Sequence, residues 1–239
     1  MENVVSICIP TYQRFEVLFE SFQDVYDDPR VGEIVIVDDD SDLEIFEKIR
    51  EKSFAFPKIK LYRNIRNRDC YENKYTAISH ANNPYCILLD SDNRINKDYI
   101  DKIFAYAWHE DVIMTPSFAS PNFDFRAFED FRISKENVSM FMNKPMFETM
   151  LNAANYFVNR DMYLKTWDNS VDPVTSDSIY ICLKWLEAGR KIFVVPGLTY
   201  MHRVWHESHY QKNVSRTPPG FHESILERLR MLPEIKEIK

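Results

Sequence analysis

Four short apolar runs, at residues 4–9, 33–37, 59–62 and 85–89, are separated by polar turns and stretches of helical period. Each run is too short for a helix and rich in Val, Ile, Leu or Tyr, the composition of strands buried on both faces. The stretches between them, 15–26, 43–52 and 71–82, are long enough to be crossover helices. A further helix is expected over 98–109, with Ile100, Ile103, Phe104, Ala107 and Trp108 on one face behind a cap at Asn96 or Asp98. Strand, crossover and strand joined with right-handed connections build an α/β fold, with a Rossmann-like, mostly parallel central sheet flanked by helices.

The second half is less regular. A strand is expected over 111–115, then a Phe-rich and Pro-punctuated strand-and-loop excursion over 116–144, and a short strand at 156–159. A helix over 175–188 should end at Gly189, and a strand over 191–195 should stop at Pro196 and Gly197. Residues 202–219 are polar and aromatic without period, as in a ligand-ordered segment, and 221–232 read as a closing helix. No linker divides the 239 residues, so a single domain is expected.

Composition narrows the function classes. Thirty basic against thirty-seven acidic residues give a net charge of -7, which offers no general electrostatic attraction for nucleic acid. Cys8, Cys70, Cys86 and Cys182 are widely spaced without a CxxC pair, so reduced thiols are expected. No apolar run approaches the length of a membrane span, and the first ten residues read as a strand rather than a leader. A cytoplasmic protein is the expectation, with peripheral contact at the inner membrane face compatible with an aromatic content of 14%.

Ligands of open α/β sheets gather beyond the carboxyl ends of the strands. There the sequence places Pro10, Thr11, Tyr12, Gln13 and Arg14, then Asp38, Asp39, Asp40 and Ser41, then Asp90, Ser91, Asp92 and Asn93. One residue of the second group is expected to cap the helix over 43–52. A tight turn after residue 89 would aim Asp90 and Asp92 at one hard cation, Mg²⁺ or Mn²⁺. Arg63, Arg66, Arg68 and Lys74 make a locally basic segment suited to a diphosphate. Thr175 or Ser176 is the expected cap of the following helix, which leaves Asp177 available as a general base. His202, Arg203, His206 and His209 supply further metal or phosphate contacts. No GxxxxGK, GxGxxG or HExxH motif occurs, so a P-loop, an ordinary dinucleotide site and a zinc hydrolase are all unsupported.

Three segments in this order, Val5 to Arg14, Ile36 to Ser41 and Ile87 to Asp92, together resemble the nucleotide-sugar-dependent, inverting glycosyltransferases of GT-A fold family 2. Asp177 and the His202-Arg203 pair match more loosely. The resemblance implies a nucleotide-sugar-binding half over 1–110 and an acceptor-binding half over 111–239. It implies that Pro10, Thr11 and Tyr12 line the nucleotide site, with Arg14 and Ser91 among the nucleotide-binding residues. Asp39 would accept from a pyrimidine imide or a ribose hydroxyl, and Asp90 would hold ribose. Asp92 and His202 would bind Mn²⁺ or Mg²⁺, while Lys74 and Arg203 would contact the diphosphate. Asp177 would be the catalytic base. Three departures stand out: the family commonly has Gly at the position of Asp40 and another near Arg66, and its usual acidic pair appears here as Ser176-Asp177.

The reaction so implied is transfer of a sugar from a nucleotide-diphosphate donor, UDP being the best match, to a saccharide or lipid-linked saccharide in surface polysaccharide synthesis. The alternatives are a sugar nucleotidyltransferase and a non-catalytic nucleotide- or sugar-binding protein.

Overall fold

The computed structural model describes residues 4–203 and 213–232. Trp205, His206 and His209 lie outside the described residues, as does the middle of the 202–219 segment. The four apolar runs form β1 (Val5–Thr11), β2 (Val31–Asp38), β3 (Ile59–Arg63) and β4 (Tyr85–Leu88). They lie side by side in the order β3, β2, β1, β4, all parallel. Ile7, Ile9, Ile34, Ile36, Ile87 and Leu88 have no exposed surface. Burial of each such side chain stabilises by about 1.5–3 kcal/mol, which explains the β-branched, two-sided apolar pattern.

Beyond β4 the sheet continues with β8 (Phe157–Asn159), β5 (Val112–Ser120), β9 (Lys191–Met201) and β7 (Arg132–Ile133), while β6 (Phe123–Asp124) pairs with β5. Strand β8 is antiparallel to both neighbours, whereas β5 and β9 run parallel to each other. The helices are α1 (Leu43–Ser53), α2 (Asp69–Ser79), α3 (Lys97–Phe104), α4 (Phe147–Asn152), α5 (Arg160–Thr166), α6 (Asp177–Glu187) and α7 (Phe221–Met231). The result is a single α/β domain with a mostly parallel central sheet. Among the described residues no helix is long and apolar enough to cross a membrane. All four cysteines are free thiols, three buried and Cys70 half-buried.

Several local expectations are corrected. Residues 15–26 form two 3-10 turns, Phe19–Ser21 and Gln23–Val25, instead of a crossover helix. The Ser21 carbonyl accepts from the distant Ile95 amide, and Val25 N–H turns back to Phe22 O, so the α ladder is broken by a tertiary contact. Helix α3 ends at Phe104, well short of residue 109, because the Trp108 indole takes the Ile103 carbonyl at 2.9 Å. Pro196 and Gly197 do not stop β9: Gly197 adopts φ +66° in an irregularity of the β5–β9 register, and pairing resumes at Thr199. No side chain caps α1, since Asp38 bonds the Ser41 amide instead and Asp42 occupies the cap position without a side-chain bond. Neither Thr175 nor Ser176 caps α6; their hydroxyls meet Thr217 Oγ1 at 2.7 Å and His222 Nδ1 at 2.8 Å.

The end of α6 follows expectation. Gly189 has φ +75°, its N–H donates to Leu186 O, and Arg190 N–H donates to Trp185 O, the paired bonds of a Schellman closure. A Cβ at Gly189 would meet no atom within 4 Å, so its backbone angle alone sets the cost of substitution. Gly189→Ala is expected to lower unfolding free energy by about 1–2 kcal/mol with the urea m-value unchanged, and Gly189→Asn by less.

Candidate functional site

The carboxyl ends of β1, β2 and β4 converge because their registers are matched: Thr11 lies opposite Asp38, and Cys8 opposite Leu88. Pro10 and Thr11 are buried at the end of β1, whereas Tyr12 projects with 48% of its surface exposed. Asp39 donates its backbone N–H to Thr11 O, and its carboxylate accepts from Asn64 Nδ2 at 2.7 Å and from Arg68 N–H at 2.9 Å. Burial pushes the Asp39 carboxyl up to about 6 despite these donors. Asn64 also donates to Asn73 Oδ1, which carries the network to the residue before Lys74.

The next cluster is built on the turn after β4. Arg14 reaches across from the β1 end to Asp92 Oδ2 at 2.9 Å and Ser91 Oγ at 3.3 Å. Asp92 is buried, which raises its pKa; Arg14 opposes that shift, and the charge of Asp90 adds to it. Asp90 is held by Asn155, whose Oδ1 accepts Asp90 N–H at 2.9 Å and whose Nδ2 donates to Asp90 Oδ2 at 3.2 Å. Asn155 sits at φ +74°, just ahead of β8, and its carbonyl takes the buried Tyr99 hydroxyl at 2.7 Å. Asn155 carries no motif, and its sequence neighbourhood gave no signal for it.

Lys74 joins this turn to the start of α6. Its Nζ donates to Asp177 Oδ2 at 2.6 Å and to Ser178 Oγ at 3.1 Å, and lies 3.6 Å from Asp90 Oδ1. Burial alone would lower the Lys74 pKa, but Asp177, Cys70 and Asp90 together raise it well above the ordinary value. Burial likewise pushes the Cys70 thiol up, so Cys70 stays protonated and donates to Asp177 Oδ2 at 3.5 Å. The expected base and the expected diphosphate contact are therefore paired with each other across 103 positions of sequence.

His202 and Arg203 lie at the end of β9. His202 Nδ1 faces Asn122 Nδ2 at 2.9 Å, so in the neutral ring the proton is on Nε2. Burial lowers its pKa, against the raising charge of Asp90, and favours that neutral form. Arg203 N–H donates to Asn93 Oδ1 at 3.2 Å, but its guanidinium pairs with Glu20 at 2.6 Å. Arg14, Lys74, Asp90, Ser91, Asp92 and Asp177 thus form one connected set, with Asp39 beside it; the Arg203 head is turned to a partner outside it. Among the described residues no three His, Cys, Asp or Glu side chains converge on a metal position. The oxygen-rich Asp90–Asp92 turn suits a hard cation whose remaining ligands come from phosphate and water.

The sequence profile of glycosyl transferase family 2 matches residues 6–167. The chain belongs to glycosyl transferase family 2. Similar solved structures have the GT-A fold of this family. TarS 1-349 of S. aureus superposes with a TM-score of 0.64 at 16% identity, over 96% of this chain and 71% of that one. The mannosyltransferase PcManGT of Pyrobaculum calidifontis, in complex with GDP-Man and Mn²⁺, gives 0.66 at 17% identity, over 95% and 69%. TarS 1-349 in complex with UDP-GlcNAc gives 0.67 at 17% identity, over 87% and 60%. The chain spans only 43% of a longer TarS structure. No curated protein matches by sequence.

The buried Lys74–Asp177 pair makes a direct energetic prediction for this family 2 chain. Removing one partner strands a charge, so Lys74→Met is expected to cost about 3–5 kcal/mol. The double variant Lys74→Met/Asp177→Leu should recover most of that loss, read as a coupling free energy from urea midpoints.

Proposed function

We propose that the protein is an inverting glycosyltransferase that moves a sugar from a nucleotide-diphosphate donor, with UDP as the nucleotide, to a hydroxyl of a saccharide or lipid-linked saccharide. The observation that carries this reading is the position of Lys74, with its ammonium 2.6 Å from Asp177 and 3.6 Å from Asp90. A candidate base and a donor-side carboxylate are thereby fixed on either side of one cation. The nucleotide-sugar complexes of TarS and PcManGT support the donor class.

In this reading the donor lies across the ends of β1, β2 and β4, with Asp39 accepting from the base imide and Asp90 from the ribose. An arriving diphosphate draws the Lys74 ammonium from Asp177 and leaves that carboxylate free to accept a proton. The acceptor oxygen forms its bond to the anomeric carbon as the carbon–phosphate-oxygen bond breaks, and the leaving diphosphate keeps the electron pair. Arg14, now on Asp92, and Arg203, now on Glu20, are the cations that exchange onto the diphosphate. Asp92, with His202 in support, would hold Mg²⁺ or Mn²⁺, which neutralises phosphate charge when bound.

Asp177→Asn is expected to lower the transfer rate by about 10²–10⁴-fold, with UDP affinity kept or raised because Lys74 no longer has to leave a carboxylate. A full rate in that variant removes Asp177 from the base role. The Asp39 shift gives a pH test with a UDP-sugar, whose phosphates do not titrate near neutrality. The ionised carboxyl is the stronger acceptor of an imide N–H, so calorimetric affinity should fall by up to about tenfold between pH 7 and pH 5, and Asp39→Asn should flatten that dependence. The same shift acts on folding with a defined sign. Between about pH 4 and pH 6 the folded chain keeps a proton that the unfolded chain releases, so this group makes stability fall as pH rises through that window.

A further inference from the structure

A groove lies between the first turn of α2 and the segment 167–172, and it borders the donor side at Arg68, whose backbone N–H holds Asp39. One part, about 440 Å³, is lined by Arg68, Tyr71, Glu72, Trp167, Asn169 and Asp172 among others. It is continuous with a part of about 320 Å³ that shares Arg68, Glu72 and Asp172 and adds Arg66, Asp69 and Arg216. Both volumes fall in the range of small-ligand sites, about 300–1,000 Å³.

Its wall is firmly built. The Trp167 indole stacks on Tyr75 with centroids 4.4 Å apart and on Tyr71 at 5.8 Å. The adjacent loop is organised by Asp168, which accepts from Ser170 Oγ at 2.6 Å and Tyr180 Oη at 2.9 Å; these bonds lower its pKa to about 2. Tyr71 Oη donates to the Asp168 carbonyl at 3.2 Å.

Charge decides the ligand class. Arg66, Arg68 and Arg216 are balanced by Asp69, Glu72 and Asp172. Arg68 pairs with Glu72 at 2.9 Å and Arg216 with Asp69 at 2.6 Å, so the lining as a whole carries no net positive charge to draw a phosphate. The lining is too polar for an acyl chain. Aromatic rings bordered by guanidinium, carboxylate and amide groups match a pyranose, whose C–H groups pack on a ring while its hydroxyls donate and accept at the rim.

Neighbouring residues link the groove to the candidate base. Asp69 and Tyr71 flank Cys70, whose thiol is 3.5 Å from Asp177. Asp172 leads through the turn Val174–Ser176 into Asp177, and Thr217, next to Arg216, bonds Thr175 at 2.7 Å. We propose that this groove is a subsite for a neutral sugar unit of a glycan acceptor, held with its reactive end towards Asp177. The assignment as acceptor rests on the glycosyl transfer proposed above; the assignment as a neutral-sugar site does not.

The test is saturation-transfer NMR on the whole chain with maltotetraose, cellotetraose, chitotetraose and mannotetraose, beside a glycerol-phosphate tetramer as the anionic probe. Wild type is expected to bind at least one neutral tetrasaccharide in preference to the anionic probe. Asn169→Tyr, which fills the groove from an exposed position, and Trp167→Ala should each weaken that binding tenfold or more while UDP binding is kept. Preference for the anionic probe, no neutral binding, or neutral binding indifferent to Asn169→Tyr overturns the subsite. Failure of wild type to bind UDP counts instead against the donor reading, and the groove is then judged by the glycan signals alone.

Discussion

The buried ion pair between Lys74 and Asp177 is the constraint on which the site depends. Each charge would be costly to bury alone, so helices α2 and α6 must meet where the two side chains reach each other. That meeting fixes the first turn of α6 against the turn after β4, since the same ammonium also faces Asp90. Cys70 and Ser178 complete the shell with a thiol and a hydroxyl. A cation shared by carboxylates from two parts of the fold is rigid while empty and responsive to an arriving anion, two properties that a donor-triggered base requires.

A second theme is that most of the expected phosphate-binding cations are already engaged: Arg14 with Asp92, Lys74 with Asp177, Arg203 with Glu20, Arg63 with Asp40 and Arg68 with Glu72. At these cations donor binding would therefore proceed by exchange of partners. This accords with a net charge of -7, because local positive groups remain satisfied within an acidic surface. Asp40 illustrates the same economy in the backbone. It stands at φ +63°, where the family commonly carries glycine, and its carboxylate accepts from Arg63 at 3.0 Å. A local polar contact thus accompanies a backbone angle that L side chains adopt reluctantly.

The parallel strands and the carboxylates at their ends were legible because two-sided burial concentrates Val and Ile in short runs and leaves the first polar residue beyond each run at the ligand face. The family could be recognised from those ends alone. What escaped reading depends on partners far away in the chain. Ile95 unwinds the expected helix over 15–26 by taking one carbonyl, and Asn155 grips Asp90 from 65 positions away. Lys74 reads as a phosphate contact from its basic surroundings and from the family resemblance. Nothing near it in sequence discloses that Asp177 lies against it.

Strand β8 has only three residues, yet it stands between β4 and β5 and bonds to both. The sheet therefore cannot become continuous until residues 157–159 have been made and inserted, long after the first four strands are complete. During synthesis the amino-terminal strands would wait with the outer edge of β4 unpaired, a surface open to wrong partners. Asn155 lies two residues before β8, so the insertion that seals this edge also delivers the clamp on Asp90. Closure of the β4 edge and the fixing of Asp90 are thus tied to the same short segment.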